Sequence, residues 1–279
     1  MVIGYKKQVC RVLALAMLAP SAWSAQPGFF ETNVMPGTDR SYLAFDLFAP
    51  LTSTATTGLF IDARLNLSDL ERHSGSVGLA WRWLSPSSDS LIGVYGYADR
   101  QRTPSDNHFN QATLGVEGYG SQWDWRVNAY LPWTDLQTTE QSSQQSSYGY
   151  DLVGNAILAP GSLQAQHYER ALQGFDAEVG SRIPGLEQFR VYLGGYYYDA
   201  PDISAFTGVQ GRVQWDISER YTLGLSGRHD EFRGGEAFLE FRYRIGFAGK
   251  DKSFKASKPA DRFGERIVRN NEVLVSDDI

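Results

Sequence analysis

Four segments of the sequence carry acidic or basic side chains at every second position, with an apolar residue between them. This spacing places both charges of a segment on one face of a β-strand. If these faces line the polar lumen of a narrow pore, the charges could select solutes through a transverse electric field. Alternatively, they could pair with one another, so that each polar group in the lumen has a partner. The predicted pore-lining residues are Asp62, Arg64, Asp124, Arg126, Asp176, Glu178, Glu240 and Arg242.

Signatures of catalysis and of metal binding are sparse. The chain has no phosphate-binding loop, no Gly-x-Ser-x-Gly and no histidine or cysteine set with metal-ligand spacing. His229 beside Asp230 is the one pair that suggests a general base, and a solvated pair at a strand end is the alternative. We therefore predict no catalytic residue, no cofactor and no metal. The four histidines, at predicted strand ends or loops, are His73, His108, His167 and His229.

Composition excludes several classes of protein. The net charge is −6 and the pI is about 5.3, so a nucleic-acid partner is not expected. Mean hydropathy is −0.35, too polar for a helical membrane protein, and no apolar run of about 18 residues follows the N-terminal segment. Aromatic residues make up 13% of the chain and glycine occurs 28 times, as expected for the girdles and small lumen positions of a membrane β-barrel.

Residues 1–25 have the organisation of a secretory signal peptide. Basic residues precede an apolar run from Val12 to Ala19, which is too short to span a membrane, and Ala22-Trp23-Ser24 offers a small-x-small cleavage site. Cys10, the one cysteine, lies inside this segment. Removal of the signal leaves a cysteine-free chain, which excludes disulfides and zinc–sulfur sites.

The most regular strand pattern lies near the C terminus. Apolar residues at every second position from Ala237 to Phe247 face away from a mostly charged row, Glu236 to Arg244. A bilayer-crossing strand needs about 9–11 residues, and this one has that length. A terminal aromatic, Phe247, suits an interfacial girdle. It also resembles the insertion signal of outer-membrane barrels, which implies outer-membrane lipid, the barrel-assembly machinery and periplasmic chaperones as partners.

The same alternation recurs upstream and predicts an all-β fold, a transmembrane antiparallel up-and-down β-barrel of about 12 strands. A soluble sandwich is the alternative. Tight connections such as Gly120 to Gln122 alternate with longer polar ones such as Ala200 to Ala205, as periplasmic turns and extracellular loops do. This parity requires a first strand at Phe29–Met35. The other predicted strands are Ser41–Phe48, Gly58–Ser68, Gly75–Trp83, Ile92–Ala98, Ala112–Tyr119, Trp123–Leu131, Phe175–Ile183, Phe189–Asp199, Phe206–Ile217, Tyr221–Asp230 and the C-terminal strand.

Residues 132–173 form the longest connection and are predicted to be a polar extracellular loop. Thr138 to Ser147 is low in complexity, which favours a mobile surface segment. Tyr150 to Leu158 has some strand character. We expect an extracellular excursion, with a short hairpin above the membrane as an open alternative.

Several ordered motifs resemble the inverse autotransporter β-barrel, the translocator domain of intimin and invasin. The most specific is Tyr168-Glu169-Arg170 followed by Gly174-Phe175-Asp176, then Pro184 and a tyrosine-rich strand. The resemblance implies an outer-membrane barrel that anchors or translocates a C-terminal segment to the cell surface by type V secretion. The structural motif residues that it assigns are Gly174, Phe175, Asp176, Pro184 and Phe247.

Residues 249–279 follow the predicted barrel, residues 26–248, and are expected to act as a linker or tail. Arg262 to Val275 is similar to the linker of the family. Some 30 extended residues reach roughly 100 Å, enough to thread a membrane of about 40 Å, yet too few to form a passenger domain. The alternatives are a narrow porin-like channel, a structural outer-membrane protein and a barrel-wall hydrolase; the oligomeric state stays open.

Overall fold

Twelve antiparallel strands close into a barrel in the computed structural model, which describes residues 27–87, 89–134, 136–146, 151–153, 156–158, 161–201, 203–248 and 258–276. Within this part of the chain, no helix has the length and apolar character needed to cross a membrane. The barrel strands are β1 Gly28–Met35, β2 Tyr42–Ser53, β3 Thr57–Ser68, β4 His73–Leu84, β5 Ser90–Arg102, β6 His108–Gly120, β7 Trp123–Pro132, β12 Gln173–Ile183, β13 Leu186–Ala200, β14 Ile203–Asp216, β15 Tyr221–Asp230 and β16 Gly234–Ala248. Four further strands are β8 Leu136–Ser146, β9 Asp151–Val153, β10 Ala156–Leu158 and β11 Gly161–Arg170.

Each barrel strand pairs with its sequence neighbours, except that β7 pairs with β12 across the long connection. The first strand closes the barrel by pairing with β16 as well as β2, so that Phe30 lies opposite both Leu47 and Ile245. Closure leaves no strand edge in the bilayer and satisfies the backbone groups internally. The predicted fold and strand number, including the strand required by parity, are confirmed.

The first strand alternates poorly because aromatic residues occupy both of its faces. Phe29 is buried in the lumen, where it stacks on Phe48 with ring centroids 5.3 Å apart. Phe30 lies on the outer face and stacks on Phe45 at 6.3 Å. Glu31 then points into the lumen and is buried.

The two faces of the barrel wall have opposite polarity. Outward side chains are apolar and exposed. Leu239 of β16, for example, is 54% exposed and lies opposite Leu225 on the neighbouring strand β15. Its neighbour Glu240 points inward, where Ser226 Oγ donates a hydrogen bond to Glu240 Oε1 at 3.3 Å. The outer face therefore suits lipid and the inner face suits polar groups.

This arrangement predicts a large difference between two adjacent substitutions on β16. Leu239→Arg should impair assembly, because an arginine on the lipid face at the bilayer midplane costs about 2–4 kcal/mol. Glu240→Gln should have little effect, since the residue remains in the lumen. The measurement is the folded fraction by heat-modifiable electrophoresis after refolding into vesicles. Equal losses in the two variants would contradict the assignment of the faces.

Short turns join the strands at one rim of the barrel, for example at Pro184-Gly185, where Gly185 has φ +80°. The opposite rim carries the connections 36–41 and 133–172, so we assign it to the extracellular side. At this rim the backbone N–H of Ser41 donates to Asp69 Oδ1 at 3.0 Å, which lowers the pKa of Asp69. The predicted long loop at Ala200–Ala205 is wrong, because β13 and β14 extend until residues 201–202 alone separate them.

The long connection forms a hairpin rather than an irregular loop. Pairing of β8 with β11 runs from Leu136 opposite Arg170 to Ser146 opposite Gly161, and β9 pairs with β10 nearer its tip. The polar stretch from Thr138 to Ser146 is thus paired, so the connection has the hairpin expected as an open alternative, and this hairpin is longer than the segment Tyr150 to Leu158 suggests. Residue 147 lies outside the described residues, and mobility stays a prediction. A strand ladder is made by backbone groups, which a low-complexity polar sequence supplies as well as any other.

Candidate functional site

Residues 258–276 lie inside the barrel and cross it from one rim to the other. Near the start of this segment, Arg262 Nη1 donates to the carbonyl oxygen of Gly120, beside the tight β6–β7 turn, at 3.4 Å. Near its end, Val275 forms an antiparallel bridge with Ala171, at the base of the extracellular hairpin. We call this segment the lumen tail.

A short 3₁₀ turn, Pro259–Arg262, starts the lumen tail, and polar groups on the barrel wall then bind its backbone carbonyls. Arg244 Nη1 donates to the carbonyl oxygen of Gly264 at 3.1 Å, and Arg64 Nη2 to that of Ile267 at 2.7 Å. Arg82 Nη1 donates to the carbonyl oxygens of Phe263 and Glu265. Guanidinium groups thus replace the water that these carbonyl groups would otherwise bind.

The periplasmic half of the lumen is occupied by apolar packing. Phe263 and Ile267 of the lumen tail are fully buried and pack against a cluster from the inner wall. Its wall members are Phe29, Phe48, Phe60, Ala80, Leu91, Tyr95, Tyr97 and Tyr119. Burial of two large apolar side chains contributes about 3–6 kcal/mol toward holding the lumen tail.

Three arginines of the lumen tail bind carboxylates on three different strands. Arg262 forms a bidentate pair with Asp124 of β7, with Nη2 2.8 Å from Oδ2. The other two pairs are Arg266 Nε with Asp46 Oδ2 of β2 at 3.1 Å and Arg269 Nη2 with Asp99 Oδ1 of β5 at 2.8 Å. These pairs lie at successive levels of the lumen, so together they fix the position of the tail along the barrel axis.

Amide and hydroxyl groups hold the extracellular half of the lumen tail. Gln101 binds both backbone groups of Val273: its Oε1 accepts from the N–H at 3.0 Å and its Nε2 donates to the carbonyl oxygen at 2.8 Å. Tyr130 Oη accepts from the N–H of Asn270 at 2.8 Å. Tyr42 Oη donates to Glu272 Oε2 at 2.9 Å.

All eight predicted pore-lining residues face the lumen, and each charge lies near an opposite one or a hydrogen-bond donor. Arg64 binds Asp62, with Nη2 2.7 Å from Oδ2. Arg126 and Arg212 share Glu178, at 3.3 and 3.0 Å. This mutual pairing supports charge balance over a free selecting field.

The remaining members of that set show the same pattern. Asp124 binds the lumen tail. Asp176 accepts hydrogen bonds from Asn128 Nδ2 at 2.9 Å and from the Tyr130 hydroxyl. Arg242 Nε lies 3.8 Å from Glu240 Oε2. A role of any of these groups in solute selection stays a prediction.

The residues of the family motif lie in the barrel wall or in a turn, where they serve packing and chain reversal. A Cβ atom on Gly174 would lie 2.3 Å from the carbonyl oxygen of Tyr197 and 2.3 Å from the Tyr198 ring, so this position requires glycine. Phe175 faces outward and stacks on Tyr197 with centroids 5.5 Å apart. Pro184 lies in the β12–β13 turn. The Phe247 side chain, like residues 1–25 and the lysines of 249–257, lies outside the described part of the chain.

Sequence reasoning missed several wall residues of this site. Arg82, Asp46 and Asp99 bind the lumen tail from buried positions, and buried Glu117 binds Arg82. Each occupies an inward position of its strand, so the alternation could have identified them. The spacing of charges alone does not mark them, because their sequence neighbours at i±2 are uncharged.

His229 and Asp230 do not form an acid–base pair. Because consecutive strand residues point to opposite faces, His229 is exposed while Asp230 is buried inside. There Asp230 Oδ2 accepts from Tyr196 Oη at 2.8 Å and pairs with Arg233. Among the described residues, no group of three histidine, cysteine or acidic side chains is arranged to hold a metal ion.

A cavity of about 210 Å³ remains between the lumen tail and strands β13 to β16. Arg212 and Arg228 of the wall and Arg266 and Arg269 of the lumen tail line it, together with Glu178 and other polar residues. The lumen tail therefore fills the lumen incompletely.

Comparison with known proteins places the chain among bacterial membrane barrels. The family model of the inverse autotransporter β-domain matches residues 16–226, which is more than half of the chain. A solved structure described as "Unveiling the Mechanism Behind the in-meso Crystallization of Membrane Proteins" has a TM-score of 0.64 at 16% identity, covering 90% of this chain and 99% of that one. This likeness supports the barrel fold.

Two more distant structures are also similar. The β-domain of the Bordetella autotransporter BrkA has a TM-score of 0.38 at 12% identity, covering 78% of this chain and 99% of that one. The KdgM porin in complex with disordered oligogalacturonate has a TM-score of 0.45 at 7% identity, covering 77% of this chain and 98% of that one. No curated protein matches the chain.

Proposed function

Since the chain belongs to the inverse autotransporter β-domain family and forms an outer-membrane barrel, we propose that it carries its own C-terminal segment through the lumen to the cell surface. The observation that carries this proposal is the course of the lumen tail. It begins beside the tight turn at Gly120 and reaches Ala171 at the base of the extracellular hairpin.

The contacts of the lumen tail suit a chain that has stopped after transport. Backbone carbonyl contacts from Arg64, Arg82 and Arg244 require an extended backbone and no particular side chain. The three arginine–carboxylate pairs of the lumen tail, in contrast, require one register. We infer that the wall accommodates any extended segment and that these pairs arrest the final one.

The same contacts give less support to the alternatives. A porin-like channel needs an open lumen, whereas here the apolar cluster around Phe263 occupies the periplasmic half. We also propose that the barrel is not an enzyme, because its one candidate acid–base pair is split between the two wall faces. Insertion by the barrel-assembly machinery, aided by periplasmic chaperones, is part of the proposal, as is anchoring through outer-membrane lipid.

Cysteine labelling in intact cells tests the direction of the tail. In a background with Cys10→Ser, Ser276→Cys should react with a membrane-impermeant maleimide, because this position lies at the extracellular rim. Ala260→Cys should react only after the outer membrane is permeabilised, since it is exposed at the opposite end of the lumen tail.

Ala260→Cys is the matched control, because both cysteines belong to the same lumen tail and differ in their expected side of the membrane. Labelling of Ala260→Cys but not Ser276→Cys in intact cells would show that the tail enters from outside. Labelling of neither before permeabilisation, with full removal of the tail by a periplasmic protease, would refute threading.

A further inference from the structure

The lipid-facing surface of β4 to β6 ends in basic side chains at the extracellular rim. Arg100 is exposed on the outer face of β5, between Gly75 of β4 and Asn110 of β6. Its guanidinium group has no ion-pair or hydrogen-bond partner among the residues that the structure describes. Arg102, two positions further, lies between His73 and His108.

Arg100 stands at the level of lipid headgroups. It follows the outward residue Ile92 by eight positions on β5. At about 3.3 Å per residue and a strand tilt of about 40°, this corresponds to about 20 Å along the membrane normal, close to the upper edge of an apolar band about 25 Å tall. An arginine here avoids the cost of the bilayer centre and reaches the phosphates of the outer leaflet.

The outward position of Arg100 on β5 differs from those of β12 and β13 at the same rim. Aromatic outward side chains lie further round the same rim, in exposed Trp133 directly after β7, two strands from β5, and in the stacked pair Phe175 and Tyr197 of β12 and β13. Below Arg100, Ala98 lies between Ala112 of β6 and exposed Val77 of β4, so the outward side chains there are short and apolar. On β5, a basic side chain thus takes the place of an aromatic one at this level, above short apolar side chains.

We propose that this surface binds a phosphorylated glycolipid of the outer leaflet, a molecule of the lipid A type. Arg100 binds a phosphate through its guanidinium fork, which matches phosphate oxygens in bidentate geometry, and an acyl chain lies over Ala98 and Ala112. Arg102 contributes less, because its Nε already lies 2.5 Å from Asp106 Oδ1. Charge complementarity selects this occupant over a neutral lipid.

Native mass spectrometry of the purified full-length barrel in detergent tests the proposal. The measured quantity is the affinity for bisphosphorylated lipid A and for the same lipid after both phosphates have been removed. Arg100→Gln should bind the phosphorylated lipid about fivefold more weakly, the factor expected for one arginine near an anionic surface. Asp106→Asn should bind it more tightly, because Arg102 then loses its competing carboxylate. The dephosphorylated lipid should bind weakly to every form.

Arg220→Gln is the matched control, since Arg220 is also exposed but lies in the tight β14–β15 turn at the opposite rim. Its affinity should equal that of the unaltered protein. Heat-modifiable migration confirms that each variant is folded. Unchanged affinity in both Arg100→Gln and Asp106→Asn, or equal binding of the two lipids, would overturn the proposal. Labelling of Ser276→Cys should be unaffected by Arg100→Gln, so this test is independent of threading.

Discussion

Removal of residues 249–279 is expected to convert a closed barrel into a conducting pore. The lumen tail supplies Phe263 and Ile267 to the apolar cluster that occupies the periplasmic half, and Arg262, Arg266 and Arg269 to wall carboxylates. Without it, these polar wall groups face water. Planar-bilayer recording should show a closed baseline for the full chain and stable open steps for the truncated chain.

A length-matched control separates plugging from folding. Replacing residues 258–276 by a Gly/Ser sequence keeps the length of the tail but removes every side-chain contact, so brief, unstable blockades are expected. Truncated protein should still show heat-modifiable migration, because the twelve-strand ladder does not depend on the tail. If the full chain and the truncated chain conduct equally, the lumen tail does not seal the pore.

Arg82→Met is expected to destabilise the barrel by about 3–5 kcal/mol, because it leaves a buried carboxylate without its partner. Arg82 is fully buried, its Nε donates to Glu117 Oε1 at 2.7 Å, and its Nη1 binds the carbonyl oxygen of Glu265 at 2.7 Å. Its guanidinium also lies 5.1 Å from the centre of the Phe48 ring. The measurement is the free energy of unfolding by urea in lipid vesicles.

Two variants test the origin of that effect. Arg102→Met removes an exposed ion pair with Asp106 and should change stability by less than about 1 kcal/mol. Arg82→Met combined with Glu117→Gln should be less destabilised than Arg82→Met alone, since no unpaired charge then remains. A double variant as unstable as the single one would attribute the loss to packing against Phe48 and the lumen tail.

Alternation along single strands was sufficient to predict the wall. Leu239 and Glu240 are adjacent in sequence, and the period of two sends one to lipid and the other to the lumen. The weakest strand, Phe29–Met35, came from the requirement for an even strand count, because Phe29 and Phe30 hide the alternation by placing aromatic rings on both faces.

Boundaries and the long connection were predicted less well. The loop expected at Ala200–Ala205 is taken up by extension of β13 and β14, and the polar stretch from Thr138 to Ser146 pairs as part of β8. In both places backbone pairing with an adjacent strand outweighs the local composition. A strand end depends on how far its neighbour continues, and that information is not contained in the segment.

The faces of the strands, the closed barrel and the polar nature of the lumen follow from the sequence, because side-chain direction in a strand is a local property. The pairing of charges inside the lumen does not. Asp124 and Arg262 are far apart in the chain, and their contact depends on the stagger of the strands around the barrel and on the register of the lumen tail. These quantities are set collectively by closure and packing, so the tertiary structure alone shows which carboxylate meets which arginine.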